Sequence, residues 1–378
     1  MNEILENTIE ELRLDKSKWK PTKFGDVAIQ QKGKVDRENT KLTRYIQGGH
    51  MNSEDLHIRN WGNLKDEYLG PAFIRKFEKG DILYGSRRTY LRKVAIADFD
   101  GITSNTTFVI KANEKNIDKR LLPFIMMSEG FTENSVKNSK GSVNPYINWK
   151  DIAKYELLLP PKDQQAELAE LLWAMDEVIE REKNILVKNV NLRKSQLKET
   201  YFTIPSKVSV DKVILEKFIK LSSGKTRPKD LRDKPIDNYL YPVYGGNGII
   251  GYSKDYLIEY DTIVLGRVGE YCGVVHDTCG KIWVSDNALY VKEFIGNIDK
   301  YYLSRFLEYI DLNKQQNKSS HPLITQSKVC SNLIPILSEE LMYQQNLKLN
   351  AVEELILNLE SKISSSKALQ KSLINQVF

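Results

Sequence analysis

The chain has 378 residues, 41% hydrophobic and 28% charged, with a formal net charge of +6 and a pI of about 8.8. This length exceeds what one hydrophobic core usually organises, and the mild basicity permits nucleic-acid binding without requiring it. The odd set of three cysteines argues against a disulfide scaffold, and we find neither a secretory signal nor an apolar run of about 18 residues. We therefore expect a cytoplasmic protein with no membrane partner.

The chain opens with a short predicted helix, residues 1–15, in which acidic and apolar residues alternate at helical spacing. Runs rich in Val, Ile, Tyr and Phe follow, broken by Gly, Asn and Asp, and they predict the strands and hairpins of a domain over 16–161. Segment 117–130 predicts a short helix beside them. We expect a mixed α+β domain rather than a regular alternation of strands and helices.

A long helix is predicted next, over residues 162–203. From Asp163 to Thr200 there is neither Pro nor Gly, and apolar residues recur at steps of three and four. A second strand-rich domain is predicted over 204–337, and a second long helix over 338–378. At 1.5 Å per residue, each helix would measure about 55–60 Å.

Short segments of the first half recur in the second half in the same order. Each match is weak by itself, but the shared order at separations of about 180 residues predicts an internal duplication. In the segments 80–87 and 260–267, Asp81 matches Asp261 and Arg87 matches Arg267. The clearest pairs are LRKSQLKETYF (192–202) with LQKSLINQVF (369–378), GDILYGSR (80–87) with YDTIVLGR (260–267), and KGSVNPYI (140–147) with KSSHPLI (318–324).

Together these patterns predict an α+β fold with an internal pseudo-twofold repeat. Two similar globular domains would be separated by two long, antiparallel, coiled-coil-like helices, because helices with polar residues in their apolar seams need a packed face. The alternative is a pair of independent surface helices.

Basic residues interleaved with tyrosine and glycine make the segment GSRRTYLRK (85–93) a candidate for nucleic-acid contact. Arginine can form paired hydrogen bonds with guanine or phosphate, and tyrosine can stack or reach the backbone. An ordinary solvated hairpin is the alternative. Including the similar loops of both halves, the candidate DNA-binding residues are Lys34, Arg87, Arg88, Tyr90, Arg92, Lys140, Ser142, Lys225, Arg227, Asn247, Arg267 and Lys318.

Two motifs suggest other chemistry only weakly. GNGIIG (246–251) has the glycine spacing of a dinucleotide loop, but no helical pattern follows it, so we predict a turn. Cys272, His276 and Cys279 lack the paired spacing and the fourth ligand of a zinc site. We find no catalytic constellation and expect neither a catalytic residue nor a metal.

The chain resembles the specificity subunit of Type I restriction-modification enzymes. The resemblance lies in WKPTKFGDVA (19–28), YPVYGGNGIIGY (241–252), LLLPPKDQQAELAELL (157–172) and the two Lys-Ser helix ends, within the duplicated layout. It implies a non-catalytic subunit in which each domain reads one half of a bipartite target in double-stranded DNA. The helices would set the spacing of the two halves.

The resemblance also implies partners for the helices. Two methyltransferase subunits would bind them and would carry S-adenosylmethionine, so that this chain binds no cofactor, and in some systems motor-nuclease subunits join. We assign partner binding to the helix ends: Leu192, Lys194, Ser195, Leu369, Lys371 and Ser372.

Two other classes of function remain open from the sequence. The chain could be a DNA methyltransferase or nuclease with built-in recognition domains, which activity of the purified chain alone would reveal. It could also be a coiled-coil adaptor that binds only proteins, which a salt-dependent affinity for DNA would argue against.

Overall fold

The computed structural model describes residues 15–36, 39–66, 68–316 and 322–378. The chain divides into two compact units, one comprising residues up to Asn184 together with Glu360–Phe378, and the other comprising Ile185–Leu359. The predicted N-terminal helix lies outside the described residues except for Asp15, which accepts a hydrogen bond from the backbone of Ser17.

The described residues of the first unit form ten strands in three small sheets. One four-stranded sheet has the order β2-β9-β6-β7, a second has the order β4-β3-β8-β5, and β1 pairs with β10. The strands are β1 (Lys20–Lys23), β2 (Ala28–Gln31), β3 (Arg44–Ile46), β4 (Gly62–Asn63), β5 (Phe73–Phe77), β6 (Ile82–Gly85), β7 (Val94–Ile96), β8 (Gly101–Ser104), β9 (Thr107–Ala112) and β10 (Glu156–Leu159).

Helices pack against one face of the sheet β2-β9-β6-β7 and complete the main core. Fully buried aromatic rings, among them Phe24, Phe124 and Phe131, pack there with Leu172 and Leu373 of two long helices. The helices that begin in this unit are α1 (Phe24–Val27), α2 (Leu122–Met127), α3 (Glu129–Lys137), α4 (Trp149–Ile152) and α5 (Lys162–Lys198), the last of which continues into the second unit.

The second unit repeats the order of the main sheet, here β12-β18-β15-β16, beside a three-stranded sheet β14-β13-β17 and the pair β11-β19. Its strands are β11 (Asp211–Ile214), β12 (Ile219–Ser223), β13 (Tyr241–Gly245), β14 (Gly248–Ser253), β15 (Thr262–Gly266), β16 (Val275–Thr278), β17 (Trp283–Val284), β18 (Ala288–Phe294) and β19 (Leu333–Ile336). Its helices are α6 (Ile204–Lys207), α7 (Lys300–Tyr309), α8 (Gln326–Cys330) and the first part of α9 (Glu339–Val377).

The expectation of a mixed α+β fold is confirmed. The two long helices occupy nearly the predicted ranges, and α5 ends in a π-helical turn, Glu199–Thr203, that leads to α6 and its Pro205. GNGIIG lies in the hairpin between β13 and β14, so its interpretation as a turn is also confirmed. Segment 117–130 is divided between α2 and the start of α3, because Ser128 caps α3 through its hydroxyl.

Helices α5 and α9 run antiparallel in each unit. In the first unit Glu182 of α5 forms an ion pair with Lys362 at 2.9 Å, and Gln370 donates to the carbonyl of Leu172 at 3.4 Å. In the second unit Arg193 contacts Glu353 at 2.7 Å. Residues later in α5 therefore pair with residues earlier in α9, as antiparallel helices require. Polar side chains of both seams are partly or fully buried between the helices.

Charged side chains of the loop 54–59 in the first unit form hydrogen bonds and ion pairs with α5. His57 Nε2 lies 2.7 Å from Asp176 Oδ2, and Arg59 contacts Glu180 at 2.6 Å. The hydrogen bond to Asp176 raises the pKa of His57 above its usual value of 6.5. A histidine with a raised pKa in the folded state stabilises that state most when it is protonated.

We predict that His57→Gln destabilises the protein mainly at low pH. The stabilisation is fully present below about pH 6.5, the pKa of an unfolded-state histidine, and is lost as the pH rises through the higher pKa of folded His57. The difference in unfolding free energy between wild type and variant, measured by urea denaturation, should therefore shrink between about pH 6 and pH 9.

His276→Gln provides a control of opposite sign. Burial lowers the pKa of His276, so the wild-type residue disfavours folding increasingly as the pH falls. The unfolding free energy of the wild type minus that of this variant should therefore grow with rising pH. Equal trends for the two histidines would contradict the assignment of the His57–Asp176 pair.

Candidate nucleic-acid interface

Three loops of the first unit meet beyond the end of β6: residues 47–50, 88–92 and 139–147. Lys93 donates from Nζ to the carbonyl of Gly48 in the first loop. The backbone amide of Arg88 donates to the carbonyl of Pro145 in the third loop at 2.7 Å. Basic residues that are more than 50 positions apart in the sequence are thereby brought to one place, which we call the three-loop site.

The three-loop site holds five of the predicted DNA-binding residues at the surface. The guanidinium of Arg87 lies 5.9 Å from the ring centre of Tyr146, and Tyr90 is 53% exposed. A cation and an aromatic ring in one exposed cluster match the two groups that nucleic acids offer, phosphates and bases. The five residues are Arg87, Arg88, Tyr90, Lys140 and Ser142.

Arg92 is placed differently from these five. Its side chain is only 10% exposed, and it forms ion pairs with Glu54 at 2.5 Å and Glu129 at 2.6 Å. Lys371 of α9 contacts the same Glu54 at 2.9 Å. The Arg92 guanidinium therefore points toward these carboxylates, and its ion pairs stabilise the turn 88–92.

The corresponding loops of the second unit also meet. Gly269 donates its backbone amide to the carbonyl of Pro322 at 3.0 Å, and Val268 pairs with Leu323. A side chain at Gly266 would meet the carbonyl oxygens of both Gly246 and Tyr271 at less than 2.5 Å, so the backbones approach closely there. The hairpin tip 246–247, the turn 269–273 and the segment 322–324 thus form a second three-loop site.

The equivalence of Arg87 and Arg267 that the sequence predicted is wrong by one residue. Gly85 pairs with Thr107, and Gly266 pairs with Ala288 at the same place in the sheet. The next residue in each unit donates its amide to the residue preceding that partner, Ser86 to Thr106 and Arg267 to Asn287. Arg267 is therefore the counterpart of Ser86, and Val268 is the counterpart of Arg87. By the same register Asp81 corresponds to Thr262, not to Asp261.

Arg267 is half-buried and donates to the Ser223 hydroxyl at 3.2 Å. With the corrected register, Tyr90 and Tyr271 become equivalent, and both are exposed, by 53% and 48%. The sequence analysis missed Tyr271. The signal was the shared spacing of Tyr within RTYLR and GEYCG, which the stronger match of GDILYGSR to YDTIVLGR obscured.

The other predicted DNA-binding residues are dispersed. Lys34 is exposed beside β5, where it pairs with Arg75. Lys225 pairs with Ser285 just past the end of β12, Arg227 is exposed beyond it, and Asn247 is exposed at the hairpin tip. Lys318 lies outside the described residues.

The two predicted partner-binding helix ends differ in their surroundings. Leu192, Lys194 and Ser195 are exposed on α5. On α9, Ser372 is exposed, but Leu369 packs against the core of the first unit and Lys371 is engaged with Glu54.

The residues considered for a metal do not converge. Cys272 is buried and donates from Sγ to the carbonyl of Arg267 at 3.2 Å, and burial raises its pKa. Within the described ranges, no group of three or more His, Cys, Asp or Glu side chains is arranged to hold a metal ion. Within the same ranges, no helix carries an apolar stretch sufficient to span a bilayer.

Residues 16–189 match the family described as the Type I restriction modification DNA specificity domain. The predicted resemblance is thereby confirmed. The specificity subunit of the Type I restriction enzyme EcoDI of Escherichia coli is 29% identical over 169 residues, which are 44% of this chain and 36% of that protein. The EcoprrI specificity subunit of Escherichia coli is 29% identical over 117 residues, 29% of its length. The matched part thus spans about a third of these relatives.

Solved structures extend the likeness of fold beyond residues 16–189. The S subunit of a Type I restriction-modification system from M. genitalium superposes with a TM-score of 0.64 at 15% identity, covering 97% of this chain and 98% of that one. A chain from a structure of type I R-M complex assembly gives 0.52 at 15% identity, covering 95% and 96%. At this identity the comparison shows a shared fold.

We predict that Arg92→Gly leaves the first unit more stable than Arg92→Ala does. Both variants lose the ion pairs to Glu54 and Glu129, but Arg92 has a backbone φ of +50°, which a Cβ disfavours and glycine tolerates. The glycine variant should be more stable by about 1 kcal/mol in denaturant unfolding.

Arg87 is the matched control, because its backbone lies outside the left-handed region. There the order should reverse, with Arg87→Ala more stable than Arg87→Gly by about 0.5–1 kcal/mol. The same order at both positions would refute the strained conformation of Arg92.

Proposed function

We propose that this chain is the non-catalytic DNA sequence-recognition subunit of a Type I restriction-modification complex. The observation that carries the proposal is the three-loop site, which lies after β6 in the first unit and after the equivalent strand β15 in the second. In the first unit this site is basic and aromatic. The match of residues 16–189 to the specificity-domain family supports it.

Each unit would read one half of a bipartite target in double-stranded DNA. Arg87 and Arg88 can form the paired hydrogen bonds that guanine or phosphate requires, and they project from a turn fixed by Arg92. The side chains around the two turns differ, with Arg87 and Arg88 in one unit where the other has Val268 and Gly269. Different side chains on similar backbones are expected where two domains read unlike sequences.

The long helices would set the distance between the half-sites. Helices of 37 and 39 residues are far longer than needed to cover one small sheet. Each contributes to the core of both units, through Leu172 and Leu197 on α5 and through Leu349 and Leu373 on α9. A continuous helical connection resists bending, so a change of its length should change the spacing of the target.

Two methyltransferase subunits would bind the helix ends and would carry the S-adenosylmethionine, with motor-nuclease subunits as further partners. The ends marked by Lys194 and Lys371 have unequal surroundings, because Lys371 is held by Glu54. We therefore expect the two methyltransferase sites to have unequal affinity.

The test of the proposal is a genome-wide methylation map of host cells with the chain intact and deleted. Loss of one split, asymmetric methylated motif on deletion is the expected result, and it would identify both half-sites. Methylation that is unchanged in cells shown to express the chain would contradict a recognition function. Methyl transfer or DNA cleavage by the purified chain alone would establish a catalytic protein instead.

We predict that Arg87→Ala weakens binding of the assembled complex to its target and relaxes discrimination at one half-site. Loss of one base contact typically costs about 1–3 kcal/mol. Competition binding with duplexes altered in either half-site measures both effects. Lys154→Ala, at an exposed residue after α4, is the control, and an equal loss there would point to unspecific charge.

We predict that inserting seven residues into both long helices, after Val187 and after Leu357, lengthens the gap in the target by about three base pairs. Seven residues add about 10.5 Å while keeping the apolar seam in phase, and duplex DNA rises about 3.4 Å per base pair. Methylation maps of the variant would reveal the new gap.

The same insertion in α5 alone is the control for this experiment. It displaces Arg193 from Glu353 and should abolish assembly. A double-insertion variant that methylates the original motif would contradict the spacing role.

A further inference from the structure

The turns after β6 and β15 have the same backbone conformation despite unlike sequences. In the first unit Arg88 and Arg92 have positive φ angles of 48° and 50°, and in the second unit Gly269 and Gly273 have 81° and 88°. Each pair brackets three residues with tyrosine in the middle. Two non-glycine residues in the left-handed region are costly, so the first unit retains this conformation against its local preference.

The hydrogen bonds of the two turns also correspond. Leu91 donates its amide to the carbonyl of Arg88 at 2.9 Å, and Cys272 donates to Gly269 at 3.0 Å. Before the turns, Gly85 donates its amide to the carbonyl of Lys93 at 3.0 Å, and Gly266 donates to the carbonyl of Val274 at 2.8 Å. Tyr90 and Tyr271 therefore occupy one structural position in two units.

Each unit braces its turn by different side chains. In the first, the Thr89 hydroxyl lies 3.2 Å from that of Ser139, and Arg92 is held by two carboxylates. In the second, the Asn313 amide donates to the carbonyls of Glu270 at 3.2 Å and Cys272 at 2.9 Å. Unrelated contacts thus hold the same backbone, and the feature they share is an exposed tyrosine at the centre.

An exposed tyrosine on a fixed turn is suited to binding. Its ring can pack on a sugar or a base methyl group, and its hydroxyl can donate to a phosphate or a base edge. A rigid turn lowers the entropy lost when the contact forms. Lys140 and Asn247 are exposed in the loops that meet these turns, so polar groups for phosphate contact are at hand in both units.

We propose that Tyr271 contacts DNA in the second unit as Tyr90 does in the first, and that each tyrosine acts only on the half-site of its own unit. This inference rests on the proposed recognition function and names the residue that carries it in the second unit. Arg267, the counterpart of Ser86, is instead engaged with the Ser223 hydroxyl of β12.

The test uses the chain assembled with its methyltransferase subunits and duplexes of the target found by methylation mapping, with either half-site altered. Tyr271→Ala should weaken binding to the full target by about tenfold or more and should abolish discrimination at one half-site only. Tyr90→Ala should do the same at the other half-site. Tyr271→Phe keeps the ring, so it separates loss of the hydroxyl from loss of the ring.

Tyr260→Ala is the matched control. Tyr260 is 41% exposed in the same unit, but it precedes β15, whereas Tyr271 follows it, so the two lie toward opposite ends of that strand. It should leave both half-sites unaffected. The melting temperature and subunit content of each complex show that the variants fold and assemble.

The outcomes separate the two proposals. If Arg87→Ala changes one half-site while Tyr271→Ala and Tyr271→Phe change neither, recognition stands and the tyrosine inference is overturned. Equal weakening at both half-sites by Tyr271→Ala also overturns it. If the wild-type complex does not discriminate either half-site, the recognition function itself fails.

Discussion

The packing of α5 against α9 is the constraint on which the rest of this structure depends. Neither helix has a continuous apolar seam, and long helices of this kind gain their stability from tertiary contacts. In the first unit the pair supplies Leu172, Leu373 and Ile374 to the core, and in the second it supplies Leu197 and Leu349. The main sheet of each unit therefore packs onto one segment of both helices, and neither main core is complete without them.

Charged contacts add direction to this apolar packing. In the first unit Asp176 and Glu180 of α5 hold the loop 54–59, whereas in the second Arg193 joins Glu308 of α7 to Glu353 of α9. Such pairs contribute less energy than the buried apolar groups, but each is satisfied in one register only. They specify where each domain sits on its helix segments.

The three-loop site of the first unit is connected to α9 through Arg92. Arg92 and Lys371 share the carboxylate of Glu54, so the turn that carries Tyr90 is linked by two ion pairs to α9 near its C-terminal end. In the second unit the Asn313 amide braces the turn from the segment that follows α7. The first unit thus stabilises its turn by ion pairs, and the second stabilises a similar turn by hydrogen bonds between uncharged groups.

The sequence by itself determined the parts that depend on local chemistry. Hydrophobic periodicity and the absence of Pro and Gly defined α5 and α9 nearly to the residue, and the Gly- and Asn-rich hairpins after buried strands were recognisable from their turn residues. The recurrence of short motifs indicated the duplication. Arg87, Arg88, Tyr90, Lys140 and Ser142 lie at the surface, as basic and polar side chains in Gly- and Ser-rich loops usually do, and their contact with DNA stays a prediction.

Only the tertiary structure decided which residues are equivalent and which face outward. A one-residue shift of register is invisible to motif matching but is fixed by the ladder between β15 and β18, and it replaced Arg267 with Val268 as the counterpart of Arg87. Arg92 resembles its neighbours in sequence, yet Glu54 and Glu129 turn it inward. Pairing between strands and ion pairs between distant segments depend on residues far apart in the chain, which local sequence patterns do not record.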